Sequence, residues 1–194
     1  MKLLFATSNP NKAHEIQFML SGNYEIITLK DIELTEDIPE TSDTLQGNAQ
    51  LKSDYIVQHF GYDCFADDTG LEVYALNNNP GVHSARFAGE HRSDEDNMQL
   101  LLEKLTHISD RSARFRTVIS LFLNGKQHFF EGIVEGTIRL EKKGTNGFGY
   151  DPLFEPENCG KTFAEMTTSE KNQFSHRARA FSKMIDFLEN LAPK

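Results

Sequence analysis

Cysteine is scarce in this chain: Cys64 and Cys159 are the only two, far apart and without the spacing of a zinc site or a disulfide framework. Reduced thiols fit a cytoplasmic protein. Long apolar runs are missing as well. None approaches the ~20 residues a membrane span requires, and the apolar start, Met1 to Ala6, turns polar too soon for a signal peptide. Basic excess is also absent. With 20 Lys/Arg against 29 Asp/Glu the formal charge is -9, which argues against a broad nucleic-acid surface. Neither a Walker A loop nor a G-x-G-x-x-G occurs. What is present is 194 residues, 38% hydrophobic and 25% charged, with mean hydropathy -0.49. That suits one soluble globular domain with room for two lobes.

The acid is unevenly spread. Residues 141–194 carry eight Lys/Arg and eight Asp/Glu, whereas residues 1–140 carry twelve against twenty-one. Glu33, Glu36, Asp37, Glu40, Asp43, Asp67 and Asp68 all fall in the earlier part. A small polyanion carried with a divalent cation suits this pattern.

Along the chain, the run from Lys2 to Ala6 reads as a strand, and Lys12 to Leu20 as a helix with Ile16, Met19 and Leu20 at helical spacing. Between them, Ser8 or Asn9 can cap the helix, and its free N–H groups with Lys12 make an anion site or a plain cap. Tyr24 to Leu29 reads as a second strand, Asp31 to Asp43 as an acidic loop, and Thr44 to Phe60 as a helix burying Leu45, Ala49, Tyr55, Ile56 and Phe60. Lys52 inside that helix reads as a snorkelling lysine and Glu40 before it as a loop acid. Asp63 to Ala66 and Leu71 to Leu76 read as short strands flanking an Asp67-Asp68-Thr69-Gly70 turn. A helix is expected from Ser93 to Leu105, and a hairpin joins Ala113–Leu123 to Lys126–Leu140 through Asn124-Gly125. That second strand is expected to break at Gly132 or Gly136. Thr167-x-x-Glu170 is a capping box opening a terminal helix with Phe174, Ala178, Phe181, Ile185 and Leu188 inward. His176 and Arg177 lie off that stripe, facing solvent or a ligand. Lys171 and His176 share no face of one ideal helix, so a common ligand either lies across the helix's first turns or requires the helix to begin later than the capping box suggests.

Two stretches invite chemistry. Alternation along a strand turns Asp67 and Asp68 to opposite faces unless the turn has begun, so one can hold a metal while the other supports it. The loop from Gly144 to Pro152 combines glycines, which let a ligand approach the backbone, with Phe148 for base stacking and Asp151 to accept from a ring N–H; alternatively Phe148 plugs the core. Arg86 either reaches a phosphate or pairs with the acidic surface.

These stretches together resemble the inosine/xanthosine triphosphate pyrophosphatases, which remove deaminated purine nucleotides. The resemblance spans nearly the whole chain. It rests on Thr7 to Lys12, Glu40, Asn48 to Lys52, Ala66 to Leu71, Pro80 to Arg86, Gly147 to Pro152, and Glu170-Lys171 with Ser175-His176-Arg177. Ser8 departs from the Gly that the family more often carries. The resemblance implies an α/β fold, elongated and two-lobed, with a long mixed central sheet flanked by helices, a cleft between the lobes, and a homodimer. It implies hydrolysis of ITP, dITP or XTP to the monophosphate and pyrophosphate with Mg2+. In that family's terms Asp68 is metal ligand and proton acceptor, supported by Glu40 and Asp67. Thr7, Ser8, Asn9, Pro10, Asn11, Lys12, Lys52 and Thr69 hold the triphosphate; Phe148, Gly149, Tyr150, Asp151, Lys171, His176 and Arg177 hold the nucleoside.

Such roles agree with the chemistry. Hydrolysis between the α and β phosphates needs an in-line water, a base, and neutralised charge on the leaving pyrophosphate. Hypoxanthine and xanthine present O6 as acceptor and N1–H as donor, and adenine reverses both. Donors at His176 and Arg177 with an acceptor at Asp151 would leave unpaired groups against ATP, a penalty of order 10^4-fold; guanine can be refused only at its 2-amino group. Three rivals are an aspartic protease, for which one Asp68-Thr69-Gly70 among helices is too few, a nucleotide sensor without turnover, and related pyrophosphatases acting on dTTP or UTP.

Overall fold

A computed structural model of the chain describes residues 2–19, 25–34, 36 and 38–191. Leu20, Tyr24 and Asp37, which figure in the sequence reading, lie outside the described residues. The chain divides into two compact units. The first comprises Met1–Asp68, Thr117–Gly132 and Arg177–Lys194; the second comprises Thr69–Arg116 and Ile133–His176.

In the first unit, β1 (Lys2–Phe5) lies between β2 (Glu25–Thr28) and β3 (Cys64–Val73), parallel to both, with Leu3 opposite Ile26 and Leu4 opposite Cys64. Parallel neighbours require crossovers, supplied by α1 (Pro10–Met19) and α2 (Leu45–Phe60). Such a sheet is covered on both faces, so β1 reads as continuous apolar sequence. Leu3 and Phe5 join one core with Ile16, Phe65, Phe181, Met184 and Leu188; Leu4 and Ala6 join another with Leu29, Ile56 and Cys64. Phe5 stacks on Phe65 at 4.6 Å, and Phe181 of α5 (His176–Leu191) meets both edge-on.

The second unit is built on the later half of β3, the two-residue β4 (Asn79–Pro80) antiparallel to it, parts of β5 (Ser112–Leu123) and β6 (Lys126–Ile138), and β7 (Phe154–Pro156) antiparallel to β6. The strand order is β2-β1-β3-β5-β6-β7, with β4 on β3. Parallel and antiparallel pairs coexist, as a mixed sheet requires. α3 (Asp94–Lys104) packs Met98 and Leu101 into a core with Leu71, Val73, Phe115, Leu153, Phe154 and Phe163.

The hairpin turn forms as its sequence demands: Asn124 and Gly125 take φ 51° and 76°, the pair of left-handed residues of a type I′ turn. Thr44 caps α2, its hydroxyl accepting from Gly47 N. Three expectations change. β3 runs unbroken through Asp67-Asp68-Thr69-Gly70, so no turn lies there. Gly70 serves close approach instead, because a Cβ on it would stand 2.5 Å from the Gly81 carbonyl oxygen. β6 is likewise continuous through Gly132 and Gly136. The capping box at Thr167 and Glu170 forms, yet it opens only the one-turn α4 (Thr168–Lys171); the terminal helix starts at His176. Consequently Phe174 precedes that helix, and Met184 rather than Ile185 is fully buried.

Candidate active site

Strand geometry separates the two adjacent aspartates of β3. The Asp67 carboxylate meets Lys12 Nζ at 2.9 Å and Arg177 Nε at 3.5 Å. Asp68 turns toward α2, where Asn48 Nδ2 donates to its Oδ2 at 3.2 Å and Lys52 Nζ stands 3.8 Å from Oδ1. Asn48 and Lys52 are one helical turn apart on the buried face of α2. Lys52 is therefore no snorkelling lysine. It is 7% exposed, and its Nζ also donates to the Asp67 carbonyl at 2.6 Å and to Glu40 Oε1 at 2.8 Å. Asn48 belongs to the family pattern, and its four-residue spacing from Lys52 is the sequence signal that puts the two on one helix face.

These surroundings push the two carboxyls apart. Burial alone would raise Asp67, but Lys12, Arg177 and Lys52 together hold it well below the usual carboxylate range. Burial also raises Asp68, and there it prevails over Lys52 and Lys12, helped by the charge of Glu40. Burial pulls Lys12 below its ordinary value despite Asp67. For Lys52 the same burial is outweighed by Asp68, Glu40 and Asp67, and its ammonium form is favoured. Three cations and three carboxylates thus face one another in the first unit. The surroundings favour the charged form of Asp67 and disfavour that of Asp68.

In the N-terminal loop the structure selects one of the two expected caps. Asn9, not Ser8, caps α1: its Oδ1 accepts from the N–H groups of Asn11 and Lys12, Thr7 Oγ1 receives Asn9 N, and Pro10 opens the helix without an N–H. The helix donors are thus taken by the chain itself, and Lys12 is the cation of this loop. Ser8 is exposed, and its φ is not among the positive ones.

The second unit gathers the aromatic set. Lys171 Nζ donates to Asp151 Oδ2 at 2.7 Å and lies 5.0 Å from the Phe148 ring centroid and 5.5 Å from that of Phe163. Asp151 Oδ2 also accepts from Phe148 N. Gly147, at φ 77°, leaves room for that carboxylate, since a Cβ there would fall 2.0 Å from Oδ2. Phe148 is half-buried, not a core plug. Tyr150 is buried, at 3% exposure, with its hydroxyl donating to the Ser84 carbonyl at 2.9 Å. Ser84 Oγ in turn accepts from Leu71 N and donates to Gly81 O. Tyr150 is thus a strut of the loop, whereas Phe148 is its accessible ring. His176 is 2% exposed and stacks on Phe115 at 4.6 Å, so it faces neither solvent nor an open helix side. Thr69, half-buried on β3, belongs to this unit, whereas Arg177 belongs with Asp67 in the first. Arg86 has a long contact with Glu90, 3.9 Å.

Among the described residues no three His, Cys, Asp or Glu side chains gather as a metal cage. Glu40 and Asp68 do converge on one cation, the Lys52 ammonium. Two carboxylates are what Mg2+ ordinarily takes from a protein when phosphate oxygens and water complete its shell. The donor set fits on those terms.

The chain matches the Ham1 family over residues 3–187. It is 57% identical over 188 residues to a dITP/XTP pyrophosphatase of Flavobacterium johnsoniae, covering 97% of this chain and 98% of that one. A Porphyromonas gingivalis protein of the same name is 54% identical, with 96% and 97% covered. Among solved structures, the Staphylococcus aureus Ham1 protein superposes with TM-score 0.91 at 38% identity, covering 99% of this chain and 100% of its own.

Proposed function

The chain belongs to the Ham1 family, and from that premise we propose that it hydrolyses deaminated purine nucleoside triphosphates, dITP, ITP and XTP, to the monophosphate and pyrophosphate. The observation that carries the reading is the divergence of Asp67 and Asp68. The Asp67 carboxylate is tied to Lys12 and Arg177, which suits a positioning group, whereas Asp68 turns to Asn48 and to Lys52 beside Glu40, which suits a group that receives a proton from water. Asp68 is the proton acceptor: water oxygen attacks the α-phosphorus, its proton passes to the Asp68 carboxylate, and the bond to the bridging oxygen breaks with pyrophosphate leaving. Lys12, Lys52 and Arg177 offset the triphosphate charge. Glu40 and Asp68 would hold Mg2+, which when bound neutralises charge on the departing pyrophosphate. Asp67 acts indirectly, by fixing Lys12 and Arg177.

Phe148 stacks on the base, while Lys171 and Asp151 supply the polar edge that distinguishes a 6-oxopurine from adenine. A cytoplasmic homodimer completes the proposal, and sedimentation at micromolar concentration tests the dimer. The sensor and pyrimidine readings are not favoured, because a sensor has little use for a raised carboxyl beside Lys52, and the relatives carry the purine name. Product analysis with Mg2+ on ITP, XTP, GTP, ATP and dTTP tests the function. Monophosphate and pyrophosphate from ITP and XTP are expected; diphosphate plus phosphate, or turnover of dTTP alone, would overturn it.

A further inference from the structure

We propose that Asp94, at the start of α3, is a positioning residue that sets Phe148 for the base by holding the Gly149 N–H. The inference rests on the nucleoside role just assigned to Phe148. Gly149 N donates to Asp94 Oδ2 at 2.7 Å, and the preceding N–H, that of Phe148, donates to Asp151 Oδ2 at 3.0 Å. Both peptide groups that flank the Phe148 α-carbon are therefore held by carboxylates, one from the loop itself and one from another element. Gly147 and Gly149 take left-handed φ of 77° and 61°, where glycine is barely restrained, so these two bonds restrict the ring's backbone.

α3 is a suitable anchor. Its far side is rooted in the core through Met98 and Leu101, and its first turn also takes Lys142, upstream of the loop, on Glu95 at 2.6 Å. Ser93 caps the helix by accepting from Asp96 N. Asp94, Glu95 and Asp96 all favour the helix start as negative charges; of the three, Asp94 is the one that receives Gly149.

Three full-length variants separate positioning from helix charge. D94E keeps the charge at the helix start and displaces the carboxylate by one methylene. D94N loses the charge and keeps an acceptor oxygen at the same distance. D94A loses both. Loss or displacement of the acceptor leads to an expected rise in KM for ITP of about three- to tenfold in D94E and D94A, with kcat within about twofold; D94N, which keeps the acceptor oxygen and loses the charge assistance, falls between wild type and D94A. The Gly149 amide proton, followed by NMR, should move upfield in D94E and D94A and by less in D94N, while D94E melts with the wild type. A KM unchanged in D94E and D94A, or one that follows melting temperature across all three variants, would overturn the role. The two claims fail separately: wild-type protein that releases no pyrophosphate from ITP refutes the proposed function, whereas Gly149 and Phe148 amide resonances unmoved by D94E refute the positioning.

Discussion

Replacing either neighbouring aspartate by asparagine should give sharply unequal stability effects one residue apart. Asp67 is 1% exposed and bound by Lys12 and Arg177; D67N takes a countercharge from the buried Arg177 and the largely buried Lys12. Breaking a buried pair from one side costs about 3–5 kcal/mol, and for a chain of this length each kcal/mol moves the melting temperature by roughly 2–4 °C, so a fall of roughly 6–20 °C is expected at pH 7.5. Asp68 differs. Burial disfavours its charged form, Lys52 keeps Glu40 at 2.8 Å, and D68N should stay within about 1 kcal/mol of wild type or exceed it.

The pH dependence carries the same signs. Asp67 is held low in the fold, so its contribution is present above the unfolded carboxyl value of about 3.9 and is lost as pH falls through its lower folded value. Asp68 is raised in the fold, so its contribution is present below that unfolded value and is lost as pH rises through its higher folded one. Urea titrations of the nucleotide-free protein from pH 3 to 8 test both. Equal destabilisation by the two variants, or a D67N loss below about 1 kcal/mol, would refute the reasoning. Pyrophosphate release provides the complement: D68N should be inactive although well folded, and full activity would remove Asp68 as base.

Phe148→Ala should raise KM for ITP far more than it lowers kcat in steady-state pyrophosphate assays, because the half-buried ring is assigned to binding rather than to the reacting phosphate. Gly70→Ala would drive a methyl group to 2.5 Å from the Gly81 carbonyl oxygen, backbone that cannot easily yield; thermal melts should show a loss of about 2 kcal/mol or more. In the native protein, burial pushes the Cys64 thiol up to about 12, while Cys159 is half-buried. A thiol reagent at pH 8 should therefore modify one group quickly and the second only with urea; two fast equivalents would contradict the burial of Cys64.

Local physics settled much of the architecture from sequence. A type I′ turn needs two left-handed residues, and Asn124-Gly125 supplies them; Thr44 could cap α2 because a short hydroxyl reaches the N–H three residues on. The ordered motifs pointed to the family and to the residues proposed for its chemistry. Signals that rest on one residue type were less decisive. Asp-Asp-Thr-Gly has turn composition, yet pairing with β1 at Phe65 and with β4 at Glu72 carries β3 straight through it. The capping box at Thr167 specifies where a helix starts and is silent on how long it runs, so α4 ends after one turn.

What tertiary structure alone decided is which charge meets which. Lys12, Lys52, Asp67 and Asp68 were each legible as candidates, but their pairing depends on strands and helices distant in sequence. That pairing, through burial and the nearness of opposite charge, drives Asp67 down and Asp68 up. The same holds for Tyr150 on Ser84, 66 residues away, and for Gly149 on Asp94, 55 away. Sequence determined the residue types and local conformations, because those depend on neighbours a few positions off. The fold determined protonation and loop position, because desolvation and Coulomb energy depend on distance in space.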